Sequence, residues 1–474
     1  MLIAAAFLLN SAGNFVLGVA LSALLGPAEF GRYATVSLAA LTLAGSTFDW
    51  LRFSTIRYSG DPSRQASFAA SLEAAYLAVA LGLYACAGLL WALGVDFGLG
   101  PTLILLTPLL TVAISRVDYS AAQFRARDLA RPFALIFALR QIFCFAAVAG
   151  VAWFKRDATT TVAAMAVANL VASIALSPAM RVPGARLSAA RFADVWRFLV
   201  YAKPIVASFV LFALISLINR QVALAKIGAA QTGEFSLAFD LSQRLFQSLY
   251  ALPEILLFQI ALRRDREEGR AAAEAQIALN AALSLAVFLP IAVGYFALGP
   301  TFERLIVPAA YRGDFSRLSL ALAPGLICYG GLIIAVNPVF QLAQRTWPVT
   351  AGAALALLTD IGLLAFGGAS RSVDGLAHAY SMSLMVAGVI GVAAAFRRKA
   401  VRPASRDLAA LVVAVAAMAA AVRPLNGLAS PLAAAAAGVS LGGSLYFSIL
   451  FAFDFAGGRS FLVGKLRAWR GAVA

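Results

Sequence analysis

Apolar windows of about 20 residues recur along the whole chain, with charged residues in short runs between them. Each window is long enough to cross roughly 30 Å of hydrocarbon as a helix. They predict spans over residues 2–25, 33–51, 68–94, 102–122, 133–154, 160–180, 204–227, 235–261, 275–298, 318–341, 349–368, 376–396, 408–423 and 429–453. That makes fourteen. The windows are continuously apolar rather than alternating, so they read as helices and not as barrel strands. The least regular are the fourth, interrupted by Pro108, Arg116 and Asp118, and the eighth, which carries several charges.

Composition sharpens this picture. Of the 474 residues, 62% are hydrophobic and 13% charged, where a soluble domain is nearer half and a quarter. That excludes a soluble enzyme, a disordered scaffold and a disulfide-rich secreted module. An all-α polytopic membrane protein is expected. The net charge of +16 would point to nucleic acid in a soluble chain. Here the basic residues sit in loops, and no nucleic-acid partner is implied.

With the N-terminus cytoplasmic, 26 Lys and Arg fall on the cytoplasmic side and nine outside, with Arg140, Arg220 and Arg244 inside spans. This is the positive-inside bias, and it also leaves the C-terminus cytoplasmic. Trp50, Trp91, Trp153 and Trp347 lie at segment ends, where indole rings prefer the interface. The first segment is too long for a signal peptide and lacks a basic flank, which leaves room for an upstream start codon. Cys86, Cys144 and Cys328 fall in apolar segments without metal-ligand spacing and read as small buried hydrophobes.

Residues 181–203 differ from the other loops. Phe192, Val195, Trp196, Leu199 and Val200 recur at i, i+3, i+4, i+7 and i+8, the pattern of an amphipathic helix lying on the cytoplasmic membrane surface. The expected organisation is a six-helix bundle over 1–180, this connector over 181–203, a second six-helix bundle over 204–396, and two accessory helices with a basic tail over 397–474. The halves carry a repeat. GPAEFGRYA (26–34) follows the first segment and GAAQTGEFS (228–236) the seventh, and an offset of 202 sets Gly26 on Gly228, Gly31 on Gly233 and Tyr33 on Phe235. With an even number of helices per half, the repeat is parallel.

On LLGPAEFGRYA, IGAAQTGEFSLA and the Arg-rich connector, the chain resembles a polysaccharide-type flippase of the multidrug/oligosaccharidyl-lipid/polysaccharide exporter superfamily. The resemblance implies a transporter of undecaprenyl-pyrophosphate-linked oligosaccharide in the bacterial inner membrane. It also implies two six-helix bundles around a cationic cavity lined by the first and seventh helices. Membrane lipids, a polysaccharide polymerase and chain-length machinery are the further partners it suggests.

An ionisable residue inside a span costs roughly 2.5–3.5 kcal/mol on insertion scales, so it usually has a partner or a task. Arg220, with Asn219 beside it, and Arg140 are candidates to attract the pyrophosphate; a structural ion pair or a snorkelling side chain is the alternative. Asn10 and Asn14 form a polar face on the first segment. Arg52, with Arg57, reads as a cationic mouth, although Asp49 lies three residues from Arg52. Asp240 and Arg244 are one turn apart and suited to neutralise each other. Asp360 reads as an ion-coupling site or as a carboxylate hydrogen-bonded to Thr or Ser. Glu73 and Glu254 are nearer helix ends and are expected to reach the interface. Pro290 and Pro338, the latter after Asn337, predict kinks.

No catalytic arrangement, cofactor motif or metal site emerges; the sequence around His378 matches no metal-ligand or acid–base motif, and there is no Walker-type loop. Other readings are a lipid II flippase, a drug/cation antiporter of the same superfamily, and an oligosaccharide polymerase or ligase. The last usually needs a large external loop, and none is present.

Overall fold

The computed structural model describes residues 2–58, 65–183, 185–343, 345, 347–397 and 399–460, excepting the side chains of 2–8, 57, 201–205, 247, 248 and 250–256. The expectations for the Arg57 and Glu254 side chains therefore fall outside the described residues. Among these residues the secondary structure is helical, with no strand.

Among the described residues, twelve helices are long and apolar enough to cross a membrane. One of these, within Leu2–Thr47, is 46 residues long, or about 69 Å at 1.5 Å per residue. That is twice the hydrocarbon thickness, and Gly26 (φ 71°, ψ 172°) breaks it into two spans. Ala229–Glu267, a further 39-residue helix, corresponds to the charged eighth segment. Counting both gives the fourteen spans of a multi-pass membrane protein. Large apolar side chains such as Leu81, Phe366 and Phe447 face outward, a surface that suits lipid rather than water.

The chain forms two compact units. The first comprises the residues up to Leu241 together with Asp360–Leu376. One of its cores gathers Phe48, Trp50, Leu51, Phe68, Leu72, Tyr76, Tyr119 and Phe198; another joins Phe124, Phe133, Phe137 and Met180. Trp50 is thus a core residue, not an interfacial one, and its indole donates to the Thr47 carbonyl at 2.7 Å. The other three tryptophans named above are exposed. Cys86 is likewise exposed rather than buried, and only Cys144 of the three is fully buried.

The connector and the seventh span are one helix, Phe192–Val222. Phe198 docks its first turns into the core, 5.6 Å from the Phe68 ring, while Phe192, Trp196, Leu199 and Val200 remain exposed. Val195 leaves the expected stripe and packs against the core.

The second unit comprises Ser242–Thr359 and the residues from Ala377 onward. Its core joins Leu298 to Leu411, Met418 and Tyr446 of the last two spans, and Tyr446 donates to the Ala286 carbonyl at 2.8 Å. At Pro338 the helix widens into a π turn over Leu332–Val336, because proline supplies no N–H to the turn before it. A void of about 10 Å³, roughly one water, lies there between Ser284, Ile334 and Pro338.

Candidate functional site

The repeat positions meet at one end of the first unit. Gly228 (φ 124°, ψ 163°) adopts the same kind of conformation as Gly26, one open to glycine and strained for other residues. Each turn starts the next helix, and the two starts touch backbone to backbone. A Cβ on Gly31 would collide with the Ala229 carbonyl and sit 2.8 Å from the Gly233 amide; a Cβ on Gly233 would collide with the Pro27 carbonyl. Under the offset of 202, Gly31 maps to Gly233 and Ala229 to Pro27. The two contacts are therefore images of each other, as a two-fold axis between the turns requires. Glycine permits both.

One helical turn to two below that contact, the side chain of Arg220 points into the protein with 1% exposure. Its Nη1 donates to the Ala34 carbonyl at 3.0 Å, and its Nη2 to the carboxylate of Asp240. The guanidinium lies over the Phe239 ring at 5.2 Å, which adds a cation–π contact. Its Nε is buried with no hydrogen-bond partner. Asn219, the preceding residue, donates to both oxygens of the buried Asp360 at 2.9 and 2.8 Å. Just beyond, Ala223–Ile227 widens into a π turn.

The pairing of Asp240 thus differs from the expectation. Its carboxylate faces Arg220, twenty positions back, instead of Arg244, because Asp240, about three turns into its helix, lies beside the end of the preceding one. Asp360 takes the Asn219 amide as a partner. Four of the expected residues converge here.

The other expected residues lie elsewhere. On the first span, Gln141 donates to Asn10 Oδ1 at 2.8 Å and to Asn14 Oδ1 at 3.1 Å. A Cβ on Gly13 would lie 2.5 Å from Gln141 Oε1, so glycine leaves the space the amide occupies. Sequence reasoning missed Gln141; an amide beside Arg140 in an apolar segment was the available signal. Arg140 has no ion pair among the described residues, and its Nε is buried without a partner. Arg52 pairs with Asp49 at 3.1 Å and lies over Phe53. Glu73, expected to reach the interface, accepts from Arg116 Nη1 at 2.8 and 2.9 Å, which compensates the arginine that interrupts the fourth span. Among the described residues no group of three or more potential ligands is placed to hold a metal.

No family model matches the sequence, and no curated protein does. Among solved structures, the chain is similar to a lipid II flippase, MurJ, in an inward closed conformation, at 12% identity over 96% of this chain and 98% of that one, with a TM-score of 0.75. It is also similar to an inward-facing multidrug-resistance MATE-family transporter of the MOP superfamily, at 13% identity over 81% of this chain and 93% of that one, with a TM-score of 0.61. The chain has the fold of these transporters, and the resemblance read from its repeat motifs agrees with it.

Proposed function

We propose that the chain is a flippase that carries an undecaprenyl-pyrophosphate-linked oligosaccharide across the bacterial inner membrane by alternating access. The observation that carries this reading is the buried Arg220–Asp240 pair set directly beneath the reciprocal glycine contact. A buried ion pair is a poor source of net stability, because desolvation offsets most of the attraction. It suits a contact that opens and closes.

With the N-terminus cytoplasmic, the Gly26 and Gly228 turns lie on the outer side, so the glycine contact is the closed external gate. In the cycle, Arg52 and Arg140 draw in the diphosphate. Its oxygens then displace Asp240 from Arg220, whose planar donors suit phosphate. Losing the ion pair loosens the helix starts around Ala34 and opens the gate. On release outside, Asp240 reclaims the guanidinium. Asn219 and Asp360 position Arg220 throughout, with no step assigned to them. The membrane potential, negative inside, favours outward passage by about 2.3 kcal/mol per charge per 100 mV. A polysaccharide polymerase with its chain-length machinery is the natural consumer of the product.

The near full-length fold similarity to a lipid II flippase favours one second reading of the cargo, lipid II, which shares the diphosphate. Proteoliposomes loaded with a fluorescent oligosaccharide diphospholipid test the proposal through quenching by an impermeant reductant. The expected result is protein-dependent movement of label between leaflets, reduced at least tenfold in Arg220→Ala. Movement of lipid II alone selects the second reading. Transport of a cationic dye without lipid movement overturns both.

A further inference from the structure

We propose that the connector end of the first unit binds the phosphate headgroup of an anionic membrane phospholipid, at a site separate from Arg220. A cavity of about 730 Å³ lies there, lined among others by Glu73, Arg116, Gln123, Arg181, Arg186 and Leu187. Its charges do not cancel. Arg116 is neutralised by Glu73, but Arg181 and Arg186 have no ion pair among the described residues. Two arginines without a counter-ion therefore line one cavity, and a phosphate accepts from guanidinium groups in pairs.

The chain that carries them is held at both ends. Arg127 Nη2 donates to the Met180 carbonyl at 2.7 Å and to Gln123 Oε1 at 3.2 Å, which fixes the backbone just before Arg181. Burial lowers the Arg127 pKa from its ordinary value, and the side chain spends its donors on that backbone and on Gln123. Beyond Arg186, the Arg191 amide donates to Ser71 Oγ at 2.9 Å, and Ser67 donates to Asp194 at 3.1 Å. The described residues flanking the two arginines are thus anchored, so less conformational freedom is lost on binding.

The rim identifies the ligand as a lipid rather than a soluble anion. Leu187, itself in the lining, is 55% exposed, and the helix that follows exposes Phe192 at 81% and Trp196 at 61%. A basic cavity beside an apolar, aromatic stripe at a helix start is the arrangement that receives a headgroup and seats its acyl chains. Free phosphate would use the arginines and leave the stripe without purpose.

Native mass spectrometry of the full chain in detergent tests this, with added phosphatidylglycerol, phosphatidylethanolamine or inorganic phosphate. The expected result is retention of phosphatidylglycerol over phosphatidylethanolamine, lowered at least fivefold by Arg181→Gln with Arg186→Gln and unchanged by Arg263→Gln with Arg264→Gln. Equal retention of the two lipids, or equal retention by the Arg181/Arg186 variant, overturns the proposal. So does inorganic phosphate that binds the wild type and displaces the lipid at equal concentration, which would make the site one for soluble anions. The readout involves no transport, so it stands or falls apart from the flippase reading. Unchanged thermal unfolding of the double variant confirms that it folds.

Discussion

Two ends of the first unit use arginine in opposite ways. Beneath the glycine contact, Arg220 is enclosed and its charge is met by Asp240, with a backbone carbonyl and a ring completing its surroundings. At the connector end, Arg181 and Arg186 stand exposed around an open cavity. Arg220 sits on an apolar helix, whereas Arg181 and Arg186 sit on the connection between helices. What differs is whether the surrounding helices bring a carboxylate and exclude water. Where they do, the arginine becomes part of a contact that must be made and broken. Where they do not, it remains available to a ligand.

The strongest way to break this comparison is to remove the carboxylate from the enclosed arginine. Asp240→Asn leaves a charge buried without its counter-ion, which costs about 3–5 kcal/mol. A steep fall in thermal stability in detergent is expected, with partial recovery when Arg220→Met is added. Recovery of transport along with stability would contradict the role given to Arg220, since the double variant lacks the phosphate donor.

Next in size is the gate itself. Gly31→Ala or Gly233→Ala forces apart two backbones in contact, an overpacking worth about 1–3 kcal/mol and spent here on opening. With the native cysteines replaced and a reporter at Thr35→Cys, labelling by an impermeant thiol reagent should rise several-fold in either glycine variant. The two should behave alike because their contacts are images of each other. A rise in one only would argue against the two-fold relation.

The smallest effect belongs to the ion pair at the other end. Arg116 and Glu73 are partly exposed, and such pairs are worth about 0–1 kcal/mol. Glu73→Gln should therefore change the unfolding midpoint little. An effect as large as that of Asp240→Asn would mean that burial does not separate the two ends.

Much of this was legible in the chain. The windows marked the spans, and the paired turns at Gly26 and Gly228 marked the repeat. Arg220, Asn219, Asp240 and Asp360 stood out because charge inside an apolar window is costly. Which of them meet was not legible. Asn219 and Asp360 are 141 positions apart, and a local rule favoured Arg244 for Asp240 because i, i+4 neighbours are the only partners a single helix reveals. The partner of Glu73 was hidden for the same reason, since it lies on the next span. Gln141 carries no charge and so gave no cost signal, although it ties the first span to the fifth. The connector was expected to be a separate helix because its amphipathic pattern differs from the predominantly apolar span that follows; in the structure the two run on as one helix.

The most direct test of the central claim uses lipid extracts from the source organism with this gene deleted, examined by mass spectrometry for undecaprenyl-pyrophosphate oligosaccharide. Accumulation of complete repeat units that external probes cannot reach is the predicted result. An unchanged lipid pool with altered tolerance to cationic drugs would contradict it.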